Sequence, residues 1–205
     1  MALQKTIMAV GAHPDDIEIG CGGTIRKHIL NGDKVYYVIA TNGEMGGNPE
    51  KRIEEAKKAA NIMGTISIDF LNLKDTFVSH DGYTVHLLDK VIKKTKPHII
   101  YVHSLNDLHQ DHRNLAHSTL SASRKMKNNI LCYEAPSTTL EFNPTVFSNI
   151  TNTFELKIQC LKQFESQEKK DYLEREALVN LSKFRGKIVG VEHAEAFEVI
   201  RIIDW

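Results

Sequence analysis

The chain has 205 residues, with 26 Lys+Arg against 26 Asp+Glu, and 41% of it is drawn from AVILMFWYC. That is the composition of an ordinary globular protein, and a single domain over residues 1–205 buries about 70% of its unfolded surface, so neither a metal nor a disulfide is needed simply to fold. A formal net charge of zero speaks against nucleic acid or an anionic membrane surface as partner, since both select for a basic excess.

Short β-rich runs alternate with longer helical patterns along the chain. Residues 6–12 (TIMAVGA) read as a buried strand, continuously apolar and bounded by Gly11 and Pro14. A helix follows over 17–32, with Ile25, Ile29 and Leu30 facing inward, and then a strand over 34–41. Pro49 stands where a first-turn proline belongs and opens a charged amphipathic helix over 50–64, closed by Gly64. A strand over 66–71, a helix over 84–96 that must stop before Pro97, a strand over 98–103, a helix over 112–127 and a strand over 130–133 complete the regular part. Four βα units and a fifth strand call for an α/β fold, with a doubly wound parallel sheet, right-handed crossovers and helices on both faces. The last third differs: 136–151 is turn-rich, 154–164 and 170–184 are helical in pattern, and 197–203 ends the chain as a strand.

The remaining global features suggest a soluble cytoplasmic protein. Cys21, Cys132 and Cys160 are an odd number without Cys-x-x-Cys spacing, which fits a reducing compartment and excludes a disulfide framework. No window approaches 18 consecutive apolar residues, so no transmembrane segment is expected. The opening MALQKTIMAVGAHPDD has too short an apolar stretch for a signal peptide.

In such a sheet ligands bind beyond the carboxyl ends of the strands. Directly after the first strand come His13, Pro14, Asp15 and Asp16. Pro14 stiffens this loop, and adjacent side chains in it point different ways, so one carboxylate can meet a metal alongside His13 while its neighbour faces the vacant side. The bland alternative is that Asp15 or Asp16 merely caps the next helix. Gly20, Gly22 and Gly23 lie inside that helix and lack the G-x-G-x-x-G spacing, and Thr41-Asn42-Gly43 stands where a ribose-binding acid belongs, so a dinucleotide is not expected. The glycines instead permit close approach of helix and sheet.

The second cluster follows the fourth strand: Asn106-Asp107-Leu108-His109-Gln110-Asp111-His112-Arg113. His103 and His117, taken singly, read as part of a solvated polar loop. The cluster as a whole shares a sheet edge with the first one, and two loops each bringing His and Asp make a three-ligand His₂Asp site. A zinc held by three protein ligands keeps a fourth position for water and lowers that water's pKa to about 7. Spacing leaves open whether His109 or His112 is the ligand.

GAHPDDIEIGCGG, TNGEMGG, the Arg-x-x-Glu of Arg52 and Glu55, HQDH, Ser166-Gln167, Arg185-Gly186 and AEAF together resemble the PIG-L/LmbE-like metal-dependent deacetylases, nearly end to end. The resemblance implies a Rossmann-like fold and zinc-dependent hydrolysis of the N-acetyl group of an amino sugar or its conjugate, releasing acetate and a free amine. Position by position it implies one zinc on His13, Asp16 and His112, with Asp15 as general base. It makes protonated His109 the group that stabilises the oxyanion or protonates the amine, and Asp111 the carboxylate that holds a histidine. Arg52 and Asp75 would bind the sugar. The chain departs from the family in carrying Gln110 where HPDH has proline, and His193 where a tyrosine often precedes AEAF; His193 is expected to take the tyrosine's place toward the oxyanion or to pin the final strand. The implied partner is a small amino sugar or sugar conjugate: free N-acetylglucosamine, a nucleotide- or lipid-linked sugar, or the glucosaminyl malate of bacillithiol synthesis. Homo-oligomers, trimers or hexamers, are common among relatives. Two other readings stand beside this one, a zinc amidohydrolase of another N-acyl substrate (a deformylase or an antibiotic-intermediate amidase) and a non-catalytic sugar- or nucleotide-binding module.

Overall fold

Odd and even residues of the central strands face two different cores, as the period of two requires. A computed structural model describes residues 3–203. Its seven strands are β1 (Thr6–Gly11), β2 (Lys34–Thr41), β3 (Ser67–Leu73), β4 (Ile99–His103), β5 (Asn129–Tyr133), β6 (Val146–Asn149) and β7 (Ala194–Arg201). Its helices are α1 (Asp16–Leu30), α2 (Pro49–Met63), α3 (Gly82–Thr95), α4 (Gln110–Ser123), α5 (Phe154–Leu161) and α6 (Arg175–Val189). The strands form one sheet in the order β3-β2-β1-β4-β5-β7-β6. Strands β1 to β5 run parallel, and β7 pairs antiparallel with both β5 and β6. This is the expected doubly wound, mostly parallel sheet.

Ile7, Ala9, Tyr37, Ile39 and Tyr101 pack with α1, α2 and α5 on one face. Met8, Val10, Val38, Ile100 and Val102 pack with Leu88 and Ile92 of α3 and Leu115 and Ala116 of α4 on the other. The chain moves outward from β1 to β3 and then back across to β4 and β5, and right-handed crossovers then put the two sets of helices on opposite faces. The reversal falls between β1 and β4, which are paired neighbours. The two His/Asp loops leave these two strands, so the topological switch point brings them together.

Local chemistry sets the helix ends. The Asn48 side chain accepts the Lys51 N–H at the start of α2, with Pro49 in its first turn, and Gly64 closes it at φ 93°. In α1 Ile25 is buried, but Leu30, the last residue of the helix, is 63% exposed. A Cβ at Gly20 would fall within the Tyr133 ring of β5, so the close approach expected of that glycine is real. Strand β6 lies within the segment that reads as turns: its four residues, VFSN, form a half-buried edge with no usable periodicity. Residues 170–184 divide into a 3₁₀ turn at Asp171–Leu173 and α6. The three cysteines are free and buried. Among the described residues no helix is long and apolar enough to cross a membrane.

Candidate metal centre and active site

The loop between β1 and α1 folds back on itself through Asp16, whose Oδ2 accepts the His13 N–H at 2.7 Å. Between them Asp15 is held at φ 105° and ψ −27°, a conformation that costs a non-glycine residue on the order of 1–3 kcal/mol. Its side chain makes no capping bond to α1, so the cap reading does not hold for Asp15.

Three ligand-type atoms converge in the cavity that Asp15 also lines. His13 Nδ1 lies 3.4 Å from Asp16 Oδ2, and 3.4 Å from His112 Nε2, which lies 3.6 Å from Asp16 Oδ1. Three ligands about 2.1 Å from a tetrahedral metal ion stand about 3.4 Å apart, so this buried set already has the dimensions of a metal site. The outer ring nitrogens agree. His13 Nε2 meets Asp75 Oδ1 at 3.1 Å and Asp111 Oδ2 at 3.2 Å, and His112 Nδ1 meets Asp107 Oδ2 at 3.1 Å. Each carboxylate fixes the proton on the far side of the ring and leaves a lone pair turned to the common point, as outer partners of metal-bound histidine do. The residues present therefore fit a divalent metal.

The charges around the site favour a cation there, a proton on His13 or a metal in its place. Burial opposes a charge on His13, yet Asp111, Asp16 and Asp75 outweigh it and raise its pKa well above 6.5. Burial also opposes ionisation of Asp16, but the neighbouring His112 and His103 hold its carboxyl well below the usual range. Asp107, although its burial acts the other way, is brought down to about 2 by His112 and Ser137. Asp15 differs: burial raises it to about 7 despite the opposing charge of Arg52. A buried carboxylate near neutrality is suited to taking and returning a proton.

His109 caps α4, its Nδ1 accepting the Asp111 N–H at 3.2 Å, which leaves a proton on Nε2. Burial and the nearby His112 and His13 lower its pKa, which favours the neutral ring. His103 belongs to no solvated loop. It is fully buried in β4, stacked at 3.8 Å on His112 and 3.1 Å from Asp16 Oδ2. His112 is thus clamped between the rings of His103 and His109. His117, by contrast, is exposed and stacks on His80.

Arg52 and Asp75 both line the cavity of about 490 Å³ that holds these groups, but each is already engaged. Arg52 Nη2 donates to Pro14 O at 2.6 Å and lies 3.4 Å from Asp15 Oδ2. The TNGEMGG loop closes around that guanidinium, and a Cβ at Gly46 would collide with it. Asp75 accepts the Met45 N–H at 2.9 Å while it faces His13. One turn beyond Arg52, Glu55 accepts both the N–H and the hydroxyl of Ser166, and Gln167 reaches Gly46 O at 3.1 Å. Helix α2 thereby ties the Asp15 loop to the segment that walls the cavity.

His193 is not brought into the cavity. Its ring lies flat on Phe154, 4.1 Å away, and its Nδ1 is 2.8 Å from Ser182 Oγ. Residue 193 precedes an antiparallel strand, so it sits at that strand's start, at Ile150, whose N–H donates to its carbonyl. Two residues of the site escape sequence reading. Asp107 lies five positions before His112, across a loop-to-helix turn no spacing rule covers, and His103 has the appearance of any strand-end polar residue.

Residues 8–123 match the family described as PIG-L, GlcNAc-PI de-N-acetylase. The chain belongs to the PIG-L family. An uncharacterized deacetylase of Escherichia coli K12, YaiS, is 34% identical over 173 residues, covering 80% of this chain and 92% of that relative. The structure of an N,N'-diacetylchitobiose deacetylase from Pyrococcus horikoshii superposes with a TM-score of 0.85 at 25% identity, over 96% of this chain and 84% of that one. A 4-oxalmesaconate hydratase of Pseudomonas putida is 30% identical over 118 residues, 51% of this chain and 45% of that relative. This membership makes the chain an enzyme of a family that hydrolyses N-acetyl groups.

Proposed function

We propose that this protein is a zinc-dependent N-deacetylase of a small N-acetylated amino sugar or sugar conjugate, with His13, Asp16 and His112 as metal ligands. The observation that carries the reading is Asp15, a buried carboxylate with no capping duty that lines the same cavity as the three converging ligand atoms. His13, Asp16 and His112 would hold a divalent metal, which would supply a Lewis acid and a water acidified to a pKa of about 7. Asp15 takes a proton from the attacking water, with Arg52 keeping its carboxylate ionised and aimed. The Nε2–H of His109 donates to the amide oxygen as it gains charge, with the ring fixed by its Nδ1 bond. Asp15 then returns the proton to the leaving nitrogen, so one carboxyl serves as base and acid. Asp107 and Asp111 hold His112 and His13 in the tautomers the metal needs.

Arg52 and Asp75 act first on Asp15 and His13, and sugar hydroxyls meet them only at the surface they leave to the cavity. The free, buried cysteines support a cytoplasmic setting. Leu108 and Leu140, highly exposed on adjoining loops, support a homo-oligomer, which size-exclusion chromatography with light scattering reads directly.

The test is direct. Zinc-loaded protein is incubated with N-acetylglucosamine and N,N'-diacetylchitobiose, and acetate and free amine are assayed. Equimolar acetate and amine are expected from at least one of a panel of N-acetyl sugars. Formate from an N-formyl analogue in place of acetate, or hydration of an unsaturated acid with no amide cleaved, would transfer the site to another reaction.

A further inference from the structure

Helix α1 is broken at Cys21, whose φ of −144° and ψ of 15° are not helical. In an unbroken helix the Gly23 N–H would bond to the Ile19 carbonyl four residues before it. Here a buried ion pair stands between those two groups. The Ile19 carbonyl accepts from Lys157 Nζ at 2.6 Å, Nζ lies 2.8 Å from Glu195 Oε1, and that oxygen accepts the Gly23 N–H at 2.9 Å. The second oxygen of Glu195 accepts the Thr24 N–H at 2.8 Å and the Thr24 hydroxyl at 2.6 Å. Thr153 adds a bond to the Gly23 carbonyl at 2.8 Å.

Lys157 comes from α5 and Glu195 from β7, and each is only 5% exposed. Taking two charges out of water carries a desolvation penalty of several kcal/mol per ion, which an ordinary continuous helix would avoid. What the break secures is an independent direction for the first turn. That turn carries Asp15 and Asp16, whereas the second half of α1 is set by its packing against the sheet. The segment of α1 before the break packs through Gly20 against Tyr133, whose hydroxyl donates to Val10 O.

We propose that Lys157 and Glu195 are positioning residues for the Asp16 carboxylate: their ion pair replaces one helical hydrogen bond and so fixes the angle at which the first turn of α1 presents Asp16 to His13 and His112. This inference rests on the reading of those three residues as metal ligands. In Glu195→Gln the side chain has one acceptor oxygen and an NH₂ that cannot accept from Gly23 or Thr24. The broken helix then relaxes toward the continuous form, and Asp16 turns with it.

The experiment titrates Co²⁺ into metal-free protein and follows the visible absorption band, which reports ligand geometry, beside the melting temperature of the metal-free form. Glu195→Gln is expected to weaken Co²⁺ binding about tenfold, the lower end of what outer partners of metal ligands cost, and to change the band's shape. Lys157→Arg keeps a cation between the same oxygens and is expected to retain the wild-type band. If Glu195→Gln does not accumulate as folded protein, the charge-balanced pair Lys157→Met with Glu195→Gln is used with the same expectation. A folded variant with wild-type Co²⁺ affinity and spectrum, even with a lowered melting temperature, overturns the proposal and leaves the metal reading intact. A wild-type protein that takes up no Co²⁺ removes both.

Discussion

Asp107 Oδ2 stands 3.1 Å from Nδ1 of His112, on the opposite side of the ring from the nitrogen that faces Asp16. The Ser137 hydroxyl and the His109 N–H fix the other Asp107 oxygen, at 2.7 and 2.8 Å. The carboxylate is therefore held by two groups before it meets the histidine. Asp107→Ala is expected to weaken metal binding by about 10- to 100-fold while the protein stays folded. Elemental analysis after dialysis against graded chelator measures this. Unchanged metal retention would show that His112 needs no such partner.

Asp15→Asn preserves shape and removes the base. Metal content is expected to persist, with kcat lowered by roughly 10²- to 10⁴-fold. Loss of metal in Asp15→Asn and its retention in Asp16→Asn would exchange the roles of the two carboxylates.

Arg52 counters the burial that lifts Asp15, which gives a signed prediction. The base form of Asp15 is required, so kcat/KM rises with pH through its pKa. Arg52→Ala removes the lowering charge, and the acidic limb is expected to move to higher pH. A pH-rate profile that stays in place with KM raised would instead make Arg52 a sugar-binding residue.

His193→Ala is expected to leave kcat within a factor of about three and to lower the melting temperature, since a stacked ring and a buried hydrogen bond to Ser182 are lost at a cost of about 1–3 kcal/mol. A hundredfold loss of kcat at unchanged stability would place His193 at the oxyanion after all.

His28 is half-buried between Asp33 and Tyr101, 2.7 and 2.9 Å from their oxygens. Burial lowers its pKa below 6.5, against the opposing influence of Asp33. As pH falls below about 6.5 the unfolded imidazole takes a proton before the folded one does. The unfolded state then binds more protons, and stability drops as pH is lowered. In His28→Gln the overall stability falls, but melting temperatures between pH 7 and 5 are expected to decline less steeply than in the wild type. An equal or steeper slope would mean that His28 contributes nothing to acid sensitivity.

Much of this protein was already determined by sequence. Short continuous apolar runs such as TIMAVGA, bounded by Gly and Pro, read as strands covered on both faces, and with Pro49, Gly64 and Pro97 as punctuation the four βα units follow. A doubly wound sheet then places chemistry at strand ends, which is how His13, Asp15, Asp16, His109, Asp111 and His112 stand out. Strand β6 could not be read, because four residues of an edge strand paired only to the distant β7 carry no periodic signal. Tertiary structure alone decided which carboxylate serves which histidine: Asp111 and Asp75 hold His13, and Asp107 holds His112. It also turned Arg52 onto Pro14 and Asp15, and turned His193 away from the cavity onto Phe154. The physical reason is reach. Strand and helix periods fix the face on which a side chain lies, but a hydrogen-bond partner 98 residues away, as Asp111 is from His13, is set by how the sheet twists and which loops its edge brings together.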